Sequence, residues 1–209
     1  MTILSLNKTR RLMGAFCAHF LLMRMVLFIR IIFYIEVYPM RNRSKIRYWT
    51  HAAIIAALYA VLTHLQNLIL PGSASWAIQC RLSEALCVLA LFTPAAIPGL
   101  TVGCLVFNMT SAAVLPLDFL VGSAATVLAA AGMWFSRRFL IFSCPLPALV
   151  MPAVTNAFLV GWELTVYIGG GFWLNAWYVA LGELIVMLIF GNLLYQVMKQ
   201  RHLDKLLFE

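Results

Sequence analysis

The chain has 209 residues, of which 64% are hydrophobic and 11% are charged, and its formal net charge is +8. A soluble domain is nearer half apolar and a quarter charged, so a chain this short cannot hide its apolar residues from water. Its basic residues form short clusters between apolar runs without interleaved aromatic residues, which argues against nucleic-acid binding and is typical of membrane orientation signals.

The first forty residues fit a membrane span poorly. Residues 12–38 are apolar, but Arg24 and Arg30 interrupt them, and each would cost about 2.5–3.5 kcal/mol at mid-bilayer. Two interpretations stay open. The segment is a basic amphipathic helix on the membrane surface, or translation starts at Met40, which we favour. We therefore divide the chain into an uncertain N-terminal extension, residues 1–39, and a membrane domain, residues 40–209.

Six apolar helical runs follow along the chain. A membrane span needs roughly 17–25 residues, so the second and third runs are short and could form one broken helix. Six spans, unlike five, place the basic clusters at residues 41–47, 137–138 and 199–205 on the cytoplasmic side. The sequence therefore predicts an all-α integral membrane protein with six transmembrane helices and both termini cytoplasmic. The runs are residues 50–70, 77–94, 95–110, 117–135, 145–167 and 172–200.

Four acids and one arginine lie within these apolar runs. Because charges inside a membrane are costly, they indicate a functional site. In the six-span topology Arg81 and three of the acids lie near the outer end, and Glu183 lies roughly 16 Å deep at 1.5 Å per residue. Carboxylates in excess, with aromatic faces nearby, suit a small, flat, cationic ligand. The candidate substrate-binding residues are Gln79, Arg81, Glu84, Asn108, Asp118, Glu163, Trp173 and Glu183.

Each of these features has a simpler explanation. Arg81 and Glu84 could neutralise each other as an i,i+3 pair. Glu84 and Asp118 could stabilise helix N-termini, and Trp173 could belong to an interfacial aromatic belt. The five cysteines and four histidines form no metal or redox motif, and the sequence has neither a GxSxG elbow nor a Walker loop. We therefore predict no metal, no cofactor and no enzymatic activity of its own.

The first run carries alanines at i,i+4 spacing. Small residues let another helix approach closely, so these alanines are candidate partner-docking residues. Ordinary packing within the protein would give the same pattern. The residues are Ala52, Ala53, Ala56, Ala57 and Ala60.

Five stretches along the chain resemble one family. They are "AALYAVLT", "IQCRLSEAL", "PAAIPGLTVGCLVFN", "LDFLVGSAATVLAA" and "WYVALGELIV". In this order they resemble the QueT family, the substrate-binding S-components of energy-coupling factor (ECF) transporters. The resemblance covers residues 48–200, and it departs from the family pattern at Cys80 and at Ala124 and Ala125, none of which is charged.

The resemblance implies a multi-pass protein of the bacterial cytoplasmic membrane that captures a queuosine precursor, a 7-deazaguanine such as 7-aminomethyl-7-deazaguanine. It also implies a transmembrane coupling subunit docked on the alanine face, and two cytoplasmic ATPases. Glu84 or Glu163 would bind the N–H edge of the base. Asp118 or Glu183 would balance its amine.

Two other function classes compete with this interpretation. A self-sufficient proton-coupled secondary transporter could use the four acids as proton carriers and would suit short helices broken near proline. An intramembrane enzyme would need a nucleophile–base or metal set at one depth, and the sequence offers none.

Overall fold

The computed structural model describes residues 43–71, 81–111, 115, 117–141 and 144–208. The predicted extension, residues 1–39, therefore lies outside the described residues. The chain divides into two compact units, residues 1–46 and residues 47–209. Of the first unit only the opening turn of a helix is described. The second unit holds the helices that build the site.

The described residues are helical and contain no β-strand. Helix α1 is Arg43–Ile69, and a 3₁₀ helix follows at Leu82–Leu91. The remaining elements are α2 (Ala96–Thr110), α3 (Asp118–Ser136), α4 (Leu146–Tyr167), α5 (Phe172–Val186), a π-helical turn (Met187–Gly191), α6 (Asn192–Gln200) and α7 (Leu203–Phe208).

Four helical segments are long and apolar enough to cross a membrane. They are Ser44–Ile69, Asp118–Ser136, Leu146–Tyr167 and Phe172–Gln200, the last of which joins α5, the π-helical turn and α6. The segments Leu82–Leu91 and Ala96–Thr110 are apolar but shorter. The all-α, multi-pass class is thus confirmed. The count of six spans and the cytoplasmic placement of the termini stay predictions.

The outer surface of the helices is strongly apolar. Leu68 and Phe135 are each 78% exposed, and many other large apolar side chains are exposed along the same helices. A monomeric soluble protein rarely shows so much contiguous apolar surface. Lipid is the solvent that such a surface suits, in agreement with the hydropathy of the four long segments.

The second predicted run adopts an unusual conformation. Residues Leu82–Leu91 form ten residues of 3₁₀ helix, in which Glu84 N–H donates to the Arg81 carbonyl and Phe92 N–H donates to the Leu89 carbonyl. Runs of this helix longer than three or four residues are uncommon and often mark a functional segment. A turn around Pro94 separates it from α2, so the two short elements are not one continuous helix.

Small residues hold α1 against α2. A β-carbon at Gly99 would lie 2.6 Å from the Ala52 carbonyl oxygen, and one at Gly103 would lie 2.7 Å from the Ala56 carbonyl oxygen. Only glycine permits this approach of the two backbones. The alanines of α1 consequently separate by face. Ala52, Ala56 and Ala60 lie on the side of α1 that faces the bundle, whereas Ala53 and Ala57 are exposed.

We expect Gly103→Val to lower the free energy of unfolding in detergent by about 1–3 kcal/mol, because its side chain overlaps the α1 backbone. The matched control is Ala124→Val, which adds apolar volume at an exposed position of α3. Thermal unfolding of the two purified variants measures the difference. Equal stability of Gly103→Val and the wild type would show that α1 and α2 do not pack this closely.

Candidate functional site

The structure buries all five charged residues that the sequence singles out. The exposed fraction is 3% for Arg81, 2% for Glu84, 3% for Asp118, 0% for Glu163 and 1% for Glu183. They come from four different elements, since Arg81 and Glu84 stand at the start of the 3₁₀ helix and the others lie on α3, α4 and α5. Four carboxyl groups therefore share the interior with one guanidinium.

Arg81 and Asp118 form a buried ion pair. Arg81 Nη2 donates to Asp118 Oδ2 at 2.8 Å and thereby joins the 3₁₀ helix to the first turn of α3. Asn108 Nδ2 donates to the Asp118 carbonyl oxygen at 2.8 Å, which adds α2 to the same junction. Gly122 leaves room for the side chains of Asp118 and Asn108, because a β-carbon at Gly122 would lie 2.8 Å from Asp118 Oδ1 and 2.9 Å from Asn108 Nδ2.

Glu84 is held by two hydrogen-bond donors. The Tyr59 hydroxyl of α1 donates to Glu84 Oε1, and the Cys87 thiol donates to Glu84 Oε2 at 3.2 Å. Both carboxyl oxygens therefore have a partner within the protein. An acid bonded in this way is fixed in position, as a buried polar group should be.

Two further hydrogen bonds tie the 3₁₀ helix to α1. Thr63 Oγ1 lies 2.7 Å from Ser83 Oγ, and Gln66 Oε1 accepts from the Leu82 backbone N–H at 2.8 Å. With Tyr59 they form a polar stripe at i, i+4 and i+7 on one face of α1. This stripe stabilises the start of the 3₁₀ helix, where the first backbone N–H groups have no partner within the helix.

Three of the four acids have unpartnered carboxyl oxygens, and one of these is Asp118 Oδ1, beside the oxygen that pairs with Arg81. Both carboxyl oxygens of Glu163, and Oε2 of Glu183, are buried and have no hydrogen-bond partner among the described residues. Glu163 interacts electrostatically with Asp118 and Arg81, and Glu183 with Glu84 and Arg81. Because an unsatisfied buried polar group is costly, such atoms point to a bound ligand, an ordered water or a proton.

Three amide side chains, those of Asn108, Asn156 and Asn192, carry unpartnered atoms as well. Asn156 Nδ2, on α4, is a buried donor without a partner, and Asn108 Oδ1 is a buried acceptor without one among the described residues. Asn156 is 5% exposed. The interior therefore offers carboxylate acceptors together with an amide donor.

Trp173 stands apart from the buried charged residues. Trp173 is 75% exposed and lines an apolar groove with Ala157, Phe158, Ala176, Trp177 and Ala180. Gln79 lies outside the described residues. Six of the eight candidate substrate-binding residues are thus buried in the structure: Arg81, Glu84, Asn108, Asp118, Glu163 and Glu183.

The role of α1 in this site was not predicted from the sequence. Tyr59, Thr63 and Gln66 are polar residues at helical spacing within a run that is otherwise apolar. That spacing was the available signal, because a polar stripe in a membrane helix must find partners. The described residues contain no group of three or more His, Cys, Asp or Glu side chains placed to hold a metal ion.

Comparison with known protein families gives a match over most of the chain. A family model described as "QueT transporter" matches residues 49–200. This is most of the chain, and it includes every charged residue of the buried cluster. No match was found among curated proteins or among solved structures.

The Arg81–Asp118 pair gives a prediction on stability. Arg81→Met removes the cation that pairs with Asp118, and Asp118→Leu removes a carboxylate that pairs with Arg81, so each single variant should lower the free energy of unfolding by about 3–5 kcal/mol. The double variant removes both charges and should recover most of the loss. Unfolding in detergent measures this cycle, with Arg81→Met plus Ser136→Ala as an additive control pair. Additive losses in the Arg81→Met, Asp118→Leu double variant would contradict a direct pair.

Proposed function

The chain belongs to the QueT transporter family, and we propose that it is the substrate-capture subunit of an ATP-driven ECF importer. Its proposed substrate is a queuosine precursor of the 7-deazaguanine type, such as 7-aminomethyl-7-deazaguanine. The protein would bind this compound at the outer side of the bacterial cytoplasmic membrane and deliver it inward. Six spans with both termini cytoplasmic would place the start of the 3₁₀ helix and of α3 on that outer side.

The observation that carries the substrate class is the excess of buried, unpartnered carboxylate. Glu163 and Glu183 are almost fully buried, and three of their four carboxyl oxygens have no partner among the described residues. A base with ring N–H groups and an aliphatic amine supplies both the donors and the positive charge that these atoms lack. A neutral or anionic solute would bring no positive charge to pair with these groups in their ionised form.

The proposed coupling to ATP lies on the exposed face of α1. Ala53 and Ala57 are one helical turn apart and exposed, so a helix of a transmembrane coupling subunit could approach the backbone there. Ala52 and Ala56 are already in contact with α2, and this supports docking on the Ala53–Ala57 face rather than on all five alanines. Two cytoplasmic ATPases would supply the energy.

The same four acids also favour a second candidate. In a proton-coupled secondary transporter, unpartnered buried carboxyl groups would carry protons across the membrane. Such a protein would transport its substrate in vesicles that contain this chain alone, driven by a proton gradient. A capture subunit would bind its substrate but would need ATP and its partner subunits for transport.

Calorimetry on the purified protein in detergent tests capture directly. We expect 7-aminomethyl-7-deazaguanine to bind without ATP and more tightly than guanine, which lacks the aminomethyl group. The double variant Glu163→Gln, Glu183→Gln should lose this binding. Thr155→Val is the matched control on α4, since its hydroxyl bonds only within its own helix. Failure of the wild type to bind any 7-deazaguanine would contradict the proposed substrate.

Docking is tested by enlarging the exposed alanines. Ala53→Leu and Ala57→Leu should abolish ATP-driven uptake and co-purification of the coupling subunit, because the added side chains keep the two helices apart. Substrate binding in detergent should be unchanged. Ala124→Leu, at an exposed position of α3, is the control and should transport normally. Normal uptake by both α1 variants would place the coupling surface elsewhere.

A further inference from the structure

The unpartnered groups of α4 and α5 can be placed relative to one another. The two helices are antiparallel neighbours joined by a short turn, and two contacts fix their register. A β-carbon at Gly161 would lie 2.8 Å from Ala176 Cα, and Asn175 Nδ2 donates to Thr165 Oγ1 at 3.1 Å.

From that register Asn156 and Glu183 lie at nearly the same level. Asn156 precedes Gly161 by five residues on α4, and Glu183 follows Ala176 by seven residues on α5. Because the two helices are antiparallel, both offsets run in the same direction along the bundle. The difference of two residues is about 3 Å at 1.5 Å per residue. Both side chains are buried in the bundle, at 5% and 1% exposure.

The unpartnered atoms at this level are complementary to one edge of a guanine-type base. That edge presents a carbonyl acceptor, a ring N–H donor and an exocyclic amine donor, side by side. Asn156 Nδ2 is an unpartnered donor, and Glu183 Oε2 is an unpartnered acceptor. The amide can donate to the carbonyl oxygen, and the carboxylate can accept from the two neighbouring N–H groups.

Glu163 lies on the same face of α4 as Asn156, two helical turns away. Seven residues correspond to about 10 Å along the axis. A bicyclic base with an aminomethyl arm can bridge this separation when the side chains reach toward it. Both oxygens of Glu163 are unpartnered, so they can accept from a primary ammonium group.

Glu84 and Asp118 have a different task. Glu84 already accepts from Tyr59 and Cys87, and Asp118 pairs with Arg81 through Oδ2, while its Oδ1 has no hydrogen-bond partner among the described residues. These partners fix the 3₁₀ helix and α3 around the site.

We propose that Asn156 and Glu183 bind the carbonyl and N–H edge of the substrate, and that Glu163 binds its amine. Asn156 then determines specificity for a base with a ring carbonyl. This inference rests on the proposed function and deepens it. It differs from the assignment made on sequence alone, which gave the N–H edge to Glu84 or Glu163.

Two probes separate the two ends of the site. One is 7-aminomethyl-7-deazaguanine, and the other is 7-methyl-7-deazaguanine, which keeps the edge and lacks the amine. We expect the wild type to prefer the aminomethyl probe about tenfold or more, as for a hydrogen bond to a charged group. Glu163→Gln should remove this preference, so that the two probes bind the variant with nearly equal affinity.

The edge variants should behave differently. Asn156→Leu and Glu183→Gln should lower the affinity for both probes by the same factor, about tenfold or more, and keep the preference for the aminomethyl probe. Asn156→Ala repeats the test with a smaller side chain, and Thr155→Val is the control for α4. Unfolding temperatures of all variants show that each protein is folded.

Three results would overturn the inference. The first is that Glu163→Gln weakens the binding of both probes by the same factor. The second is that Glu183→Gln abolishes the preference for the aminomethyl probe. The third is that both Asn156 variants bind the probes as tightly as the wild type does. In each case the wild type still binds, so the proposed function stands. A wild type that binds neither probe would refute the proposed substrate, and the inference with it.

Discussion

A charge placed inside a membrane protein is costly unless it is paired, and the ion pair between Arg81 and Asp118 is the contact on which this structure depends. It joins the start of the 3₁₀ helix to the start of α3, and Asn108 adds α2 through the Asp118 carbonyl oxygen. Breaking such a pair costs far more than forming it gains, because either partner alone is a buried charge. The position of the site therefore follows from this junction. The polar stripe of α1 also holds the start of the 3₁₀ helix, through Tyr59, Thr63 and Gln66.

Some of the buried carboxyl groups are hydrogen-bonded within the protein and others are not, and this difference suggests a function. The carboxyl oxygens of Glu84 are used within the protein, whereas those of Glu163 are unpartnered among the described residues. A bundle selected for stability alone would pair its buried acids or replace them by apolar residues. Retaining unpartnered acids costs stability, and a cationic substrate that supplies donors would offset this cost on binding. Stability and capture are thus linked through the same side chains.

Much of the fold could be predicted from the sequence, because apolar length and turn residues are local signals. The runs at residues 117–135, 145–167 and 172–200 correspond closely to the long helices of the structure. The charged residues within the apolar runs could also be identified from the sequence, since few apolar runs contain a charged residue. The 3₁₀ conformation of Leu82–Leu91 and the bond from Tyr59 to Glu84 were not predictable in this way. Both depend on partners distant in the chain, as does the division of the alanines between an internal and an exposed face.

The most direct test of the account is a structure of the protein with 7-aminomethyl-7-deazaguanine bound. The account predicts the base inside the bundle, its carbonyl and N–H edge at Asn156 and Glu183, and its amine at Glu163. Glu84 should keep its bonds to Tyr59 and Cys87. A base bound instead in the apolar groove beside Trp173, with the buried carboxylates untouched, would contradict the claim that unpartnered acids form the substrate site.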